Sequence, residues 1–144
     1  MQAGTTFGYD ESGQANAAQG SFEAGNYDHK DIITGISDGT YDLIWDDEAK
    51  AAFAYDPIGK VWSSAETTAI IAGKAAYVNE AGLGGMMFWA LSNDAPGEQS
   101  LISAASDVLM GAATADDVAQ RSPGFDAVLG GDGEFGISDF TNLA

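Results

Sequence analysis

The side chains of this chain that could do chemistry are mainly carboxylates and aromatic rings. Its 144 residues include 22 acids against five Lys and Arg, the single histidine His29, and no cysteine. Without cysteine, disulfides and thiolate chemistry are excluded, and one histidine is too few for a histidine metal site. We therefore expect no metal and no cofactor. A net charge of −17 would repel nucleic acid and anionic membrane surfaces, whereas a neutral ligand is compatible with it.

The composition predicts one loop-rich globular unit. Hydrophobic residues make up 45% of the chain, which is enough for a core, and its 19 glycines exceed the roughly 7% of average proteins. Residues 1–20 have neither a basic stretch nor an apolar run, so no N-terminal signal peptide is expected. No apolar run approaches the roughly 18 residues that a membrane span needs, and we expect a soluble chain.

Three short segments rich in β-branched and aromatic residues predict an antiparallel meander. They cover residues 40–45, 52–55 and 60–62, with acidic or proline-containing breaks between them. A short helix over residues 27–33 is expected before them, followed by a turn marked by Gly35 and then Asp38-Gly39. The first half of the chain should therefore be mainly sheet.

The next segment predicts an α/β unit. Ser63 and Glu66 have the spacing of a capping box, apolar residues follow at helical intervals, and Gly82 would end this helix. Residues 84–91 are almost uninterruptedly apolar, which is typical of a strand buried on both faces in a parallel sheet. A further helix would begin at Pro96.

Composition changes after Gly111, where that last helix would end. Residues 112–144 are rich in acidic, small and hydroxylated residues and contain one base, which predicts a separate appendage. A disordered tail and a C-terminal export signal of type I secretion both fit this composition. The sequence Gly130-Gly131-Asp132-Gly133 is half of one glycine-rich calcium-binding repeat, but a single copy cannot stack.

Residues 75–94 resemble the last helix and strand of family 18 glycoside hydrolases. The matching features are the helix, the sequence Gly82-Leu83-Gly84-Gly85, the apolar strand, and Trp89 at its C-terminal end. Upstream, parts of residues 20–32 and residues 41–55 are similar to the small α+β insertion of the chitinases in this family. The resemblance covers most of the chain before the acidic tail.

This resemblance implies an α/β fold, namely the C-terminal part of a (β/α)8 TIM barrel with a chitinase insertion domain. Residues 1–62 would belong to the insertion domain. Residues 63–111 would supply the last helix, strand and helix of the barrel, and residues 112–144 would be the acidic, glycine-rich tail. The N-terminal half of the barrel would then lie before residue 1.

The resemblance also implies three substrate-binding residues. Trp89 would form the floor of the subsite in which the sugar is distorted, because barrel enzymes place working side chains at strand ends and aromatic rings stack on pyranoses. Phe22 would stack on sugar and Glu23 would accept a hydrogen bond from a hydroxyl. The alternatives are a core position for Trp89 and solvated loop positions for the other two. Aromatic residues of the predicted meander are more often packing residues and stay outside this set: Trp45, Tyr55 and Trp62.

The sequence assigns no catalytic acid. Enzymes of this family use the motif Asp-x-x-Asp-x-Asp-x-Glu, whose Glu protonates the leaving oxygen while the substrate's acetamido group attacks, and the motif does not occur here. Asp126 and Glu134 look like its ends, but they are eight residues apart, one more than in the motif, with weakening glycines between them. The sequence departs from the pattern of this family at two further places. It has Ala90 where relatives commonly carry an acid, and Ser64-Ala65-Glu66-Thr67 where an acidic pair is usual.

The predicted function is a part of a secreted hydrolase that cleaves chitin, with this chain contributing to the sugar-binding groove. Its partners would be chitin or N-acetylglucosamine oligomers, and the missing half of the barrel. Two alternatives stay open, a non-catalytic chitin-binding module and a structural acidic domain. Affinity for chitin oligomers separates the first two from the third.

The purified 144-residue chain should not turn over chitin oligomers, because the resemblance places none of its carboxylates at a glycosidic oxygen. General acid catalysis alone contributes about 10²–10⁴-fold to such reactions. Release of reducing sugar from N-acetylglucosamine oligomers measures this, and joining the chain to the N-terminal barrel half of a relative should restore turnover. Turnover that disappears in Glu134→Gln would show instead that Glu134 is the acid.

Overall fold

The computed structural model describes residues 6–9, 21, 26–46, 48–49 and 51–122. Within these ranges the strands are β1 (Thr6–Tyr9), β2 (Asn26–Tyr27), β3 (Asp42–Asp46), β4 (Ala51–Asp56) and β5 (Val61–Ala65). The α-helices are α1 (His29–Asp38), α2 (Thr68–Glu80), α3 (Leu101–Leu109) and α4 (Ala115–Ala119). Two 3-10 helices cover Leu91–Asn93 and Gly97–Gln99. None of the described helices is long and apolar enough to cross a membrane.

The strands form one antiparallel sheet in the order β2-β1-β5-β4-β3. Strands β3, β4 and β5 form a meander at one end of this sheet, in which Tyr55 on β4 pairs with Asp42 on one side and with Trp62 on the other. The predicted meander is confirmed. Its third strand runs on to Ala65, three residues further than the aromatic pattern indicated.

Aspartate side chains form the two turns of the meander. The Asp46 and Asp56 carboxylates each accept hydrogen bonds from the backbone N–H groups two and three residues later, at 2.8 to 3.0 Å. Such Asx turns give the backbone an alternative to continuing the strand. The acidic breaks in the sequence therefore end these strands through a local hydrogen bond.

Helix α1 is longer than the sequence predicted, and the expected turn does not begin at Gly35, although the helix does end at Asp38-Gly39. Gly35 lies inside the helix, and a Cβ atom there would collide with the ring of Tyr41, which packs across this position. The helix ends instead at Gly39, which has the left-handed φ of 81° that glycine adopts without strain. The absence of a side chain at Gly35 thus allows the ring of Tyr41 to pack close to α1.

One core cluster lies between α1 and the sheet. Ile32 on α1 packs against Ala54 on β4 and Ala65 on β5, and all three are at most 4% exposed. The alanines let the helix lie close to the sheet. Larger, partly buried side chains surround this cluster: Tyr27, Ile36, Tyr41 and Leu43.

The start of α2 differs from the predicted capping box. Ser63 is a fully buried residue of β5, and the side chain of Thr67 caps the helix by accepting from the N–H of Ile70. Glu66 forms an ion pair with Lys74 at 2.6 Å. The capping-box prediction is wrong because Ser63 lies inside β5, which ends at Ala65. Thr67 is the first Ser, Thr, Asp or Asn after the end of this strand, and it caps the helix.

The end of α2 is as predicted. Gly82 has a φ of 62°, its N–H bonds to the carbonyl of Asn79, and the N–H of Leu83 bonds to the carbonyl of Val78. These two bonds define a Schellman motif with glycine in the left-handed position. The motif turns the chain sharply at the point where residues 84–91 begin.

A second core cluster joins α2, α3 and α4. Helix α3 begins later than Pro96, because the hydroxyl of Ser100 supplies the N-cap by accepting from the N–H of Ser103. The buried members of this cluster lie on all three helices: Ile71, Ala72, Ala75, Leu101, Ala104, Ala105, Val108, Ala115 and Val118. Because α4 belongs to it, the packed part of the chain continues past residue 111, and a boundary there would cut through this core.

Residues 84–91 do not form the strand that the apolar run predicted. Residues 84–89 make no hydrogen bond to any part of the chain that the structure describes. Met86 and Phe88 pack against the helical cluster, whereas Met87, Trp89 and Leu91 are 61%, 61% and 68% exposed. A strand needs neighbouring strands to pair with, and the described residues provide none beside this segment. The helical cluster covers only one of its faces.

Val118→Ala should lower the free energy of unfolding by on the order of 2 kcal/mol, because it leaves a cavity in the helical cluster. Val118 is 4% exposed and contacts that cluster from α4. Denaturant unfolding measures the change, with Gln120→Ala as the control because Gln120 is exposed at the end of the same helix. Equal free energies for the two variants would show that α4 does not contribute to the core.

Candidate functional site

Trp89 is the predicted site residue that the structure describes. It follows Phe88, whose side chain packs against the helical cluster, and its own side chain is 61% exposed. The peptide bond between Trp89 and Ala90 is cis. The core alternative for Trp89 is therefore wrong, and the ring presents a large surface to solvent beside an anchored neighbour.

The other two predicted site residues, Phe22 and Glu23, lie outside the described residues, as do Asp126 and Glu134. The residue before Phe22 is described. The hydroxyl of Ser21 accepts a hydrogen bond of 2.7 Å from the N–H of Asp28, directly before α1. Ser21, which directly precedes the predicted Phe22-Glu23 pair in the sequence, therefore lies at the N-terminal end of α1.

The loop after Trp89 is held by an aspartate that the sequence analysis did not single out. The Asp94 carboxylate accepts from the N–H groups of Ala95 and Leu101 at 2.9 Å and from the hydroxyl of Ser100 at 2.7 Å. A weaker bond of 3.3 Å comes from the N–H of Ile102. One carboxylate thus closes residues 94–102 into a compact turn and satisfies free N–H groups at the start of α3.

His29 and Lys30 connect α1 to the same loop. The Nε2–H group of His29 donates to the carbonyl of Gln99, and the ammonium of Lys30 donates to the carbonyl of Ser92, both at 3.0 Å. Lys30 also forms an ion pair with Asp28 at 2.8 Å, and this hydrogen bond is the main reason that the pKa of Lys30 is raised. Because 62 and 70 residues separate these partners, no local sequence signal indicated them.

His29 is a buried neutral donor. The residue is 2% exposed, and this burial lowers the pKa of His29 below its ordinary value of 6.5. The bond to Gln99 and the charges of Asp94 and Glu66 oppose this effect without cancelling it. The sequence analysis considered His29 only as a metal ligand, and the described residues contain no group of three His, Cys, Asp or Glu that could hold a metal ion.

Aromatic residues of the meander lie mainly on the sheet face opposite α1. Phe53 and Trp62 are neighbours there, with ring centroids 5.7 Å apart at an interplanar angle of 34°, and Tyr55 pairs with Trp62 across the strands. Trp45 lies two residues after Leu43 and thus on the α1 face. The contact between Phe53 and Trp62 fits the packing interpretation given to these aromatics.

A cavity of about 250 Å³ lies between α3 and α4. It is lined by Gly97, Glu98, Ser103, Ala104, Asp107, Val118 and Arg121. The Nε–H of Arg121 is already used by the carbonyl of Asp117 at 3.0 Å. None of the predicted sugar-binding residues lines this cavity, so the candidate site is the surface around Trp89.

Comparison with known proteins defines the class as a glycoside hydrolase. The sequence profile described as "Glycosyl hydrolases family 18" matches residues 3–94, which is more than half of the chain and includes Trp89. The chain belongs to family 18 of the glycosyl hydrolases. The resemblance read from residues 75–94 and from the upstream segments is confirmed.

The relatives of this chain include chitinases of fungi and bacteria. Endochitinase 1 of Metarhizium anisopliae is 40% identical over 97 residues, which cover 67% of this chain and 22% of that protein. The chain spans between 11% and 24% of the length of the curated relatives it matches.

Solved chitinase structures also match. The catalytic domain of the psychrophilic chitinase B from Arthrobacter TAD20 has a TM-score of 0.60 at 28% identity, covering 75% of this chain and 24% of that one. Chitinase ChiA74 from Bacillus thuringiensis has a TM-score of 0.65 at 21% identity, covering 77% of this chain and 22% of that one, and supports the fold alone. The predicted mixture of helix and sheet in a chitinase-like fold is confirmed at this level.

Stability should fall as the pH drops below about 6.5, because His29 is held neutral in the folded protein. An unfolded histidine takes up its proton near pH 6.5, so the unfolded state binds more protons between that pH and the lower folded pKa. The contribution is complete above pH 6.5 and is lost as the pH falls through this window. Denaturant unfolding at pH 7.5 and 5.5 measures it.

The control for this pH effect is His29→Gln, which keeps an N–H donor for Gln99 but does not titrate. The variant should lose less stability between pH 7.5 and 5.5 than the parent, by on the order of 1 kcal/mol. Carboxylates titrate in both proteins and cancel in the comparison. The same loss in both would mean that His29 is not held neutral.

Proposed function

We propose that this chain is part of an enzyme that hydrolyses β-1,4-linked N-acetylglucosamine polymers, and that it contributes a wall of the sugar-binding groove. The observation that carries the proposal is the exposed ring of Trp89 on an anchored segment inside the region matched by family 18. The reaction, the substrate and the groove go beyond family membership. They are proposed from the names of the relatives and from the chemistry of the site.

The geometry around Trp89 suits a stacking platform. Met86 and Phe88 hold the segment from one side, so that the alternate side chains Met87 and Trp89 point away from the helical cluster. A pyranose has an apolar face that an aromatic ring covers well. The ligand of such a platform is neutral, which is compatible with the net charge of −17.

We propose Phe22 and Glu23 as further contacts to the sugar. The support is indirect and comes from Ser21, which is bonded to the N–H of Asp28, next to the two residues that hold the loop after Trp89. Two segments that are distant in sequence therefore meet at the N-terminal end of α1.

The second candidate function is a chitin-binding module without catalysis. The motif Asp-x-x-Asp-x-Asp-x-Glu does not occur in these 144 residues, and this observation favours binding as the property of the chain itself. In both functions the same surface contacts N-acetylglucosamine. We also propose an extracellular location, because chitin is an extracellular polymer and the family resemblance implies secretion.

Trp89→Ala should weaken binding of N-acetylglucosamine oligomers by about three- to tenfold, the effect expected for losing one aromatic contact. Met87→Ala is the matched control, because Met87 is two residues away on the same segment and equally exposed at 61%. Isothermal calorimetry gives both affinities, and thermal unfolding should show similar small changes, since both side chains lie on the surface. Equal affinities for Trp89→Ala and Met87→Ala would contradict a stacking role for Trp89.

A further inference from the structure

The segment that bears Trp89 is attached to α1 by two consecutive side chains. Lys30 bonds to the carbonyl of Ser92 and His29 bonds to the carbonyl of Gln99, both at 3.0 Å. We refer to His29 and Lys30 as the clamp. Its two contacts lie at either end of the loop formed by residues 92–99, so both the start and the end of this loop are held.

Hydrogen bonds join the loop to the residue that follows Trp89. Asp94 bonds to the first residues of α3, and the N–H of Asn93 bonds to the carbonyl of Ala90 at 3.0 Å. The residue next to Trp89 is therefore in a hydrogen-bonded turn with the clamped loop. By contrast, residues 84–89 make no hydrogen bond within the described part of the chain. On the C-terminal side, the position of Trp89 thus depends on how residues 90–99 are held.

The two clamp residues lie on α1, which packs against the sheet. Helix α1 is fixed there by Ile32, which is 1% exposed between the helix and the sheet. Asp28 orients the ammonium of Lys30 through the ion pair of 2.8 Å, and its N–H is bonded to Ser21. The sheet cluster and the helical cluster have no residue in common, so the clamp ties two separately packed units together.

We propose that His29 and Lys30 are positioning residues for the sugar-binding groove, which fix the segment that bears Trp89 relative to α1. Neither residue touches sugar in this proposal. They act through the carbonyl groups of Ser92 and Gln99. The inference rests on the proposed function in so far as Trp89 binds N-acetylglucosamine, but the attachment of Trp89 by the clamp can be tested without sugar.

The experiment uses the full 144-residue chain with Trp45→Phe and Trp62→Phe, so that Trp89 is the one tryptophan. Lys30→Met removes the donor to Ser92 while keeping the length of the side chain. Time-resolved fluorescence anisotropy of Trp89 then reports the motion of this ring. We expect a larger amplitude of fast local motion in Lys30→Met, and binding of N-acetylglucosamine oligomers that is weaker by up to about tenfold, the value of one lost hydrogen bond.

Two further variants separate positioning from general destabilisation. Lys30→Arg keeps a cationic donor and should restore both the anisotropy and the affinity. Ser37→Ala removes a side-chain hydrogen bond to the carbonyl of Ile33 on the same helix, α1, without touching the clamp or residues 92–99, and should change neither. His29→Phe, which removes the donor to Gln99 and keeps an aromatic ring, should act in the same direction as Lys30→Met, and His29→Gln should act less.

Hydrogen exchange provides a second measurement if the double Phe background does not fold. In the chain with its natural tryptophans, Lys30→Met should speed exchange of the Asn93 and Asp94 amides, which bond to the carbonyls of Ala90 and Leu91. Unchanged Trp89 motion and unchanged exchange in folded Lys30→Met would overturn the proposal. If the clamp variants mobilise Trp89 while the parent binds no oligomer, the clamp holds Trp89 and the proposed sugar-binding function fails.

Discussion

Burial of helix α2 on most of its sides is the constraint on which the rest of this structure depends. Eight of its thirteen residues are buried, and they are distributed around the helix: Thr68, Ala69, Ile70, Ile71, Ala72, Gly73, Ala75 and Val78. A helix that is apolar all round can only be stable inside a protein. Helices α3 and α4 cover part of α2, and Met86 and Phe88 pack against the same cluster. The small residues among these eight allow those neighbours to approach closely.

The exposed position of Trp89 follows from this constraint. After α2, the Schellman motif at Gly82 sends the chain back along the helical cluster, where Met86 and Phe88 complete its apolar cover. Because successive side chains of an extended segment point in opposite directions, burial of these two exposes Met87 and Trp89. Apolar cover of the helical cluster by Met86 and Phe88 therefore places the ring of Trp89 at the surface, where we propose that it stacks on a sugar.

The two units of the chain are joined through polar groups. The sheet and α1 bury Ile32 with Ala54 and Ala65, and the helical cluster buries a separate set of residues. Between them lie a buried neutral histidine, His29, an ion pair at Lys30, and the carboxylate of Asp94. A buried polar group such as the ring of His29 must be paired to be tolerated, whereas the side chain of Lys30 is 43% exposed. Pairing also requires one relative orientation of the two units, which apolar contact alone does not impose.

The sequence by itself determined the features that depend on neighbouring residues. The meander is visible in its β-branched and aromatic residues, the end of α2 in Gly82, and the family in the sequence around Trp89. Each of these signals arises within a few residues, through backbone geometry or a local hydrogen bond, and is present before the chain folds. Of the predicted site residues, Trp89 is described and exposed, and its contact with sugar stays a prediction.

Only the tertiary structure decided the rest. Gly35 stays in α1 because Tyr41 packs over it, Thr67 caps α2 because β5 runs through Ser63, and α4 joins the core because α2 needs cover. The bonds of His29 and Lys30 to the loop after Trp89 connect residues 62 and 70 positions apart. Such contacts exist only once distant segments are packed, because the free energy that holds them comes from burial, and which surfaces become buried is a property of the whole fold.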